Sequence, residues 1–110
     1  MNDPKKLKMY ILVKESLPSH KAVAVAHGVL MCHLRFCDVS PDYISWLYQS
    51  FRKVVCEVTD EEFFKAKALV PADSYVIVNE SSLNNQEVAL AFCPRYEWPK
   101  EFKFYKLANW

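Results

Sequence analysis

The chain has 110 residues, and its 14 lysines and arginines nearly balance its 13 aspartates and glutamates. This length suits one hydrophobic core, since single cores usually serve domains of roughly 100–150 residues. The charge balance excludes the strongly basic surface of a general nucleic-acid binder, and a hydrophobic content of 52% with one glycine excludes a disordered tail. We therefore expect a single domain over residues 1–110.

The N-terminal residues are polar and lack the apolar region of a secretory signal. The longest apolar stretch, residues 22–31, is about half the roughly 20 residues that span a bilayer. The sequence therefore predicts a cytoplasmic protein with no membrane association. Residues 1–7 are candidates for a flexible lead-in, and residues 95–110 form a C-terminal segment that alternates lysines with aromatic rings.

The cysteines are Cys32, Cys37, Cys56 and Cys93, and they form no C-x-x-C pair. We expect free thiols, because this spacing is not that of a disulfide framework. Cys32, His33 and Cys37 lie close together in the sequence, but their spacing matches no zinc template. The sequence therefore predicts packing roles for these side chains, with no metal and no cofactor.

The predicted elements begin with a strand at the apolar run of residues 9–13, which is typical of a strand covered on both faces. A long helix follows, capped by Ser16 or Ser19 and continuing to Phe36. Ser40, before Pro41 and Asp42, opens a short second helix.

Residues 54–58 read as the next strand, and the S/T-x-x-E spacing from Thr59 to Glu62 predicts a capping box that starts a third helix. Two further apolar strands, residues 75–78 and 88–92, are joined either as a hairpin or by a crossover. The order β-α-α-β-α-β-β is that of an α/β protein.

Polar side chains gather where two of these strands end. They are Lys14, His20 and Lys21 after the first strand, and Glu80, Ser81 and Ser82 after the third. Ligands of open α/β sheets bind beyond the carboxyl ends of the strands, so the two groups face one cleft if their strands are parallel and adjacent. The helix start is then either an anion site or an ordinary solvated helix start.

His27 lies one heptad after His20, on one helical face with Ala24 and Met31. One interpretation makes His27 a general base or a hydrogen-bonding anchor at the floor of the cleft. The other makes it a buried histidine bonded to a backbone carbonyl.

The C-terminal segment also has two interpretations. Interleaved basic and aromatic residues can stack on single-stranded nucleic acid. Alternatively, the rings of Trp98, Phe102, Phe104, Tyr105 and Trp110 lie on the core while the lysines face water. We favour the second interpretation.

Several segments also resemble those of a known family. They are residues 10–14 with Leu17, Ala26-His27, residues 53–55, 60–62, 65–67 and 74–78, and residues 90–92 with Pro94. With the element order, these segments make the chain similar to the type-2 peptidyl-tRNA hydrolases, from Lys8 to Leu107. The resemblance implies a single three-layer α/β/α domain around a mixed four-stranded sheet.

The resemblance also implies cleavage of the ester that joins a peptide to tRNA. His20 stands where the family has a lysine, with Lys21 next to it, and Ala24 stands in place of a glutamine. The later family loop Asp-Ala-Gly-Arg-Thr corresponds to residues 79–83. The implied catalytic residues are His20, Lys21, His27 and Glu80, with Lys14, Ser81 and Ser82 as binding residues.

Two alternatives stand beside this hypothesis. One is a non-catalytic member of the fold that binds tRNA, other RNA or a protein partner. The other is an unrelated small-molecule binder with a pocket near Met31 and Trp46. An exposed apolar helix face would also favour a homodimer.

Overall fold

Five strands and three helices form the fold in the computed structural model, which describes residues 2–110. The strands are β1 (Lys8–Lys14), β2 (Arg52–Val58), β3 (Tyr75–Glu80), β4 (Gln86–Phe92) and β5 (Lys106–Leu107). The helices are α1 (Lys21–Phe36), α2 (Pro41–Ser45) and α3 (Asp60–Ala66). The predicted α/β class is confirmed. Within residues 2–110, no helix has both the length and the apolar character needed to cross a membrane.

The sheet is mixed, in the order β3-β4-β1-β2-β5. β1 is parallel to β2 and antiparallel to β4, and β4 is antiparallel to β3. The connection between β3 and β4 is therefore a hairpin and not a crossover. β1, β2 and β3 end at the same edge of the sheet, but β4 lies between β1 and β3, so those two strands are not adjacent.

β1 is central and buried on both faces, as predicted. Ile11 packs with Phe36 of α1 on one face of the sheet, whereas its neighbour Leu12 packs with Phe63 of α3 on the other. This alternation follows from the two-residue period of a strand. Helices therefore cover both faces of the sheet.

The first helix starts later than the sequence predicts. α1 begins at Lys21, and the residue before it, His20, adopts the left-handed conformation (φ 64°, ψ 26°) without capping through its side chain. The predicted cap at Ser16 is wrong because the Ser16 hydroxyl donates to Asp60 at 2.8 Å, at the start of α3. The predicted cap at Ser19 is also wrong, because the residue that directly precedes α1 is His20.

Both other predicted helix starts are confirmed. The Ser40 hydroxyl oxygen accepts from the Tyr43 N–H at 3.1 Å and caps α2, which a π-helical segment, Trp46–Ser50, extends. At α3 the Thr59 hydroxyl accepts from the Glu62 N–H at 3.0 Å, and the Glu62 carboxylate accepts from the Thr59 N–H at 2.9 Å. Each end therefore satisfies backbone donors that the helix itself leaves unpaired.

The C-terminal segment contributes to the core and to the sheet. Trp98, Phe102 and Tyr105 join the cluster beneath α3, and Phe102 is only 1% exposed. The packing interpretation is therefore confirmed for these three rings, while Phe104 and Trp110 are exposed. β5 follows and pairs antiparallel with β2, so the expected four-stranded sheet has a fifth strand.

The N-terminal lead-in is also in contact with the core. A turn of 3-10 helix, Pro4–Lys6, precedes Leu7, whose side chain is fully buried. The Ser50 hydroxyl donates to the Leu7 carbonyl.

Candidate active site

Polar side chains form two groups around the start of α1, at the edge of the sheet where β1, β2 and β3 end. Lys21 and Glu57 form the group on the β2 side. His20, His27 and Glu80 form the group on the β3 side. His20 stands just before α1 and borders both groups, since it also lines the groove beside Lys21 and Glu57.

Lys21 and Glu57 make an ion pair with 2.8 Å between Nζ and Oε2. Glu57 lies on β2 opposite Val13 of β1, and its side chain is 9% exposed. The hydrogen bond from Lys21 lowers the pKa of the Glu57 carboxyl, and the charge of Lys106 lowers it further. Glu57 is therefore a carboxylate at neutral pH, and Lys21 is already engaged with it.

The ion pair lies beside a groove of about 380 Å³ at the start of α1. The groove is lined by Pro18, Ser19, His20, Lys21, Ala22, Val23, Glu57 and Trp110. Neither Glu57 nor Trp110 was predicted at this site. The signal for Glu57 was present in the sequence, since it is the one charged residue in the apolar run 54–58, where a charge requires a partner. No local sequence pattern predicts that Trp110 lines this groove.

On the β3 side, Glu80 is held in place by Ser82. Its Oε1 accepts from the Ser82 N–H at 3.2 Å and from the Ser82 hydroxyl at 3.0 Å. These hydrogen bonds lower the pKa of Glu80, and the nearby His20 and His27 lower it further. Glu80 is therefore an oriented carboxylate with two imidazoles nearby, neither of which forms an ion pair with it.

His27 is exposed on the surface of α1. The interpretation of His27 as a buried histidine bonded to a backbone carbonyl is therefore wrong. Ala24, one turn earlier, is 2% exposed and faces the sheet. Ala24 thus packs in the core, while His27 is accessible to solvent.

Lys14 lies apart from both groups. Its Nζ is 4.7 Å from the centroid of the Phe63 ring, on the α3 side of the sheet. Strand alternation sends Lys14 to the same face as Leu12, whereas the imidazoles lie on the α1 side. Ser81 is exposed in the turn after β3. Of the predicted site residues, His20, His27, Glu80 and Ser82 therefore lie near one another. Lys21 instead binds Glu57 on β2.

The thiols are placed for packing rather than for chemistry. All four cysteines are free, and Cys32 and Cys56 are fully buried. Burial raises the pKa of Cys32 to about 12 and that of Cys56 to about 11. Among residues 2–110, no group of three or more His, Cys, Asp or Glu side chains is arranged to hold a metal ion.

No protein-family model matches the chain, and no curated protein matches it at a significant level of similarity.

Proposed function

We propose that this protein is a divergent hydrolase of the peptidyl-tRNA hydrolase type, acting in the cytoplasm on the ester of peptidyl-tRNA or on a related acyl bond. The observation that carries the proposal is that two exposed imidazoles, His20 and His27, lie near the oriented carboxylate of Glu80. The segments that resemble the type-2 family, Ala26-His27 above all, support this class of substrate.

In the proposed reaction His27 is the general base. Its imidazole takes a proton from a water molecule as the water oxygen attacks the ester carbonyl carbon. The tetrahedral intermediate then collapses, the bond from carbon to the ribose oxygen breaks, and the imidazolium returns its proton to that oxygen. The products are a peptide with a free carboxyl group and a tRNA with a free terminal hydroxyl.

Glu80 stabilises the imidazolium that forms during this reaction, because a carboxylate favours a nearby positive charge. Ser82 is a positioning residue in this scheme, since it fixes the Glu80 carboxylate through two hydrogen bonds. The first-turn N–H groups of α1, which no side chain caps, supply donors for the developing oxyanion. Lys21 acts through its ion pair with Glu57, which holds the groove in shape.

The test uses an aminoacyl-tRNA whose amino group is acylated, and it measures release of the acylated amino acid. We expect His27→Ala to lower the rate by about 100-fold or more, the usual range for a lost general base. The matched control is His33→Gln on the same helix. His33 Nδ1 lies 3.0 Å from the Tyr43 hydroxyl, away from Glu80, so the control should retain most of the activity.

The proposal fails if the native protein shows no turnover above His27→Ala at any pH between about 5 and 9. Equal loss of activity in His27→Ala and His33→Gln would also contradict it, because the loss would then reflect the stability of α1 rather than the chemistry of one imidazole.

A second candidate function is RNA binding without catalysis, favoured by the exposed part of the C-terminal segment. Phe104 is 83% exposed and stands between Lys103 and Lys106, which suits base stacking beside phosphate contacts. This candidate predicts tRNA binding that weakens as salt rises, because phosphate contacts release counterions. Phe104→Ala should weaken binding more than Phe64→Ala, which removes an exposed ring on α3 instead. Absent or salt-insensitive binding would exclude this function.

A further inference from the structure

The edge of the sheet where β1 and β2 begin carries a row of basic residues. Lys8 stands opposite Arg52 of β2, and on its other side it forms an isolated bridge with Arg95, which follows β4. Residues opposite each other on neighbouring strands present their side chains to the same face, where like charges repel. None of the three forms an ion pair with residues 2–110. The row therefore has an excess of positive charge.

A groove with aromatic walls borders this row. Its volume is about 390 Å³, and it is lined by Lys8, Tyr10, Tyr96, Glu97, Trp98 and Lys103. Lys8 Nζ is 5.6 Å from the centroid of the Tyr10 ring, and the guanidinium carbon of Arg95 is 5.7 Å from that of Trp98. The centroids of the two rings are 4.7 Å apart. The rings therefore bring both cations to one groove, and cation–π attraction offsets part of their repulsion.

The Tyr10 hydroxyl is a free donor at this groove. Tyr10 is 5% exposed and lines the groove, and its hydroxyl forms no side-chain hydrogen bond within residues 2–110. No fully buried side-chain N or O atom in the same range lacks a partner, so this hydroxyl reaches the groove. Burial raises the pKa of Tyr10, which keeps the hydroxyl protonated. A nearly buried donor that faces an open groove indicates a ligand with an acceptor.

Glu97 is the one acidic residue among those that line the groove. It forms no ion pair within residues 2–110, and the Arg95 Nε donates to its backbone carbonyl at 2.9 Å. Three cations stand against this acid, Lys8 and Lys103 in the lining and Arg95 beside it, so the net charge favours an anion. The Glu97 carboxylate can accept from hydroxyl or amino groups of that anion, and it disfavours a second phosphate group.

We propose that this groove binds a free mononucleotide, with its phosphate among the basic side chains and its base against Tyr96 and Trp98. Both rings are partly exposed, and such rings stack on nucleobases. The Tyr10 hydroxyl donates to the phosphate. The volume suits one small ligand, since such pockets usually measure about 300–1,000 Å³. β1 begins beside this groove and ends beside the start of α1, about 20 Å away, so the site goes beyond the proposed hydrolase function.

Isothermal titration calorimetry with adenosine 5′-monophosphate tests this site. We expect a Kd of about 0.1 mM or lower, whereas adenosine and inorganic phosphate should each bind at least about tenfold more weakly, because each lacks part of the contacts. The Kd for the nucleotide should rise with salt, since screening weakens the attraction between the cations and the phosphate.

A conservative variant tests the hydroxyl. Tyr10→Phe keeps the ring and should raise the Kd by about three- to tenfold, the usual loss for one hydrogen bond. Its matched control is Tyr105→Phe, since Tyr105 is similarly buried but lines a different groove. The control should leave the Kd unchanged.

A pair of lysine variants tests the phosphate contacts. Lys103→Gln should raise the Kd by about tenfold, because a hydrogen bond to a charged group is lost. The matched control is Lys100→Gln, an exposed lysine on the same 3-10 helix, Lys100–Phe104, that does not line the groove. Circular dichroism verifies that each variant is folded.

Absence of nucleotide binding up to about 5 mM overturns the proposal, as does equal weakening by Lys103→Gln and Lys100→Gln. A short oligoadenylate that binds at least about tenfold more tightly than the mononucleotide overturns it in favour of single-stranded RNA. His27→Ala should bind the nucleotide as tightly as the native chain does. Loss of binding in that variant contradicts the proposal, because the nucleotide would then occupy the candidate active site. The outcome is therefore independent of whether the protein is a hydrolase.

Discussion

At the scale of single residues, the Lys21–Glu57 pair shows how the fold accommodates a charge on a core strand. Glu57 is nearly buried, and its ammonium partner is 2.8 Å away. A partly buried pair of this kind adds little stability over an apolar replacement, but loss of one partner leaves a charge with less compensation. The pair therefore constrains which substitutions position 57 tolerates.

The first prediction is the pH dependence of this pair. The pKa of Glu57 is lowered in the folded state, so the pair stabilises the fold above the unfolded pKa of about 4.3. That stabilisation is lost as the pH falls through the folded pKa. We expect the free energy of unfolding to fall more steeply below about pH 4.3 in the native protein than in Glu57→Gln. Urea unfolding at a series of pH values measures both slopes.

Glu61→Gln is the control for this prediction, and its pH profile should stay close to that of the native protein. Glu61 also pairs with a lysine, Lys65, but both side chains are largely exposed, so solvent screens the pair. Parallel pH profiles for Glu57→Gln and the native protein would contradict the assigned role of Glu57.

The thiols give a second prediction at this scale. Cys32 and Cys56 are fully buried, and burial raises the pKa of both thiols well above neutral pH. Since the thiolate is the reactive form, a maleimide should label partly exposed Cys37 in the native protein and reach the buried pair only when the chain unfolds. Mass spectrometry after a timed exposure identifies the labelled sites. Rapid native labelling of Cys32 would exclude the packing described for α1.

At the scale of elements, the packing of α1 on the sheet depends on the one glycine of the chain. A Cβ at Gly28 would lie 3.1 Å from the Ala91 Cβ, closer than two methyl groups usually approach. Val at this position would push the helix from the sheet or force strained rotamers, at a cost of about 1–3 kcal/mol. We expect Gly28→Val to lower the free energy of unfolding by that amount.

Ala26→Val is the matched control, because Ala26 is exposed on the same helix. It adds the same β-branched side chain to α1 without contact to the sheet, so its cost should be only the small difference in helix propensity, about 0.5 kcal/mol. Equal destabilisation by the two variants would show that the Gly28 contact has no role in stability.

The elements also show which parts of the structure local sequence can predict. The Thr59–Glu62 capping box and the Ser40 cap were predictable because each depends on residues three apart, and the burial of β1 was predictable from its continuous apolar run. The start of α1 was not, because the competing partner of Ser16 is Asp60, 44 residues away. The ion pair of Glu57 could not be predicted from local sequence either, because its partner, Lys21, lies on another element.

At the scale of the whole molecule, the order of the strands determines which side chains at the strand ends lie close together, a question that the sequence left open. Hairpin pairing of β3 and β4 places β4 between β1 and β3, so Lys14 and Glu80 do not meet although both stand at strand ends. The fifth strand was missed because two residues, Lys106–Leu107, carry no strand signal of their own. Only pairing with β2 makes them a strand.

The position of β1 in the sheet also has a consequence for how the chain reaches this structure. β1 pairs with β2 and also with β4, where Ile11 lies opposite Ala91, about eighty residues later in the chain. Pairings between such distant residues slow folding. We expect refolding in milliseconds to seconds rather than microseconds, measured by stopped-flow tryptophan fluorescence; a microsecond phase with full amplitude would contradict it. During synthesis, β1 leaves the ribosome long before β4 exists, so one side of its backbone stays open to chaperones, or to aggregation, until β4 is made.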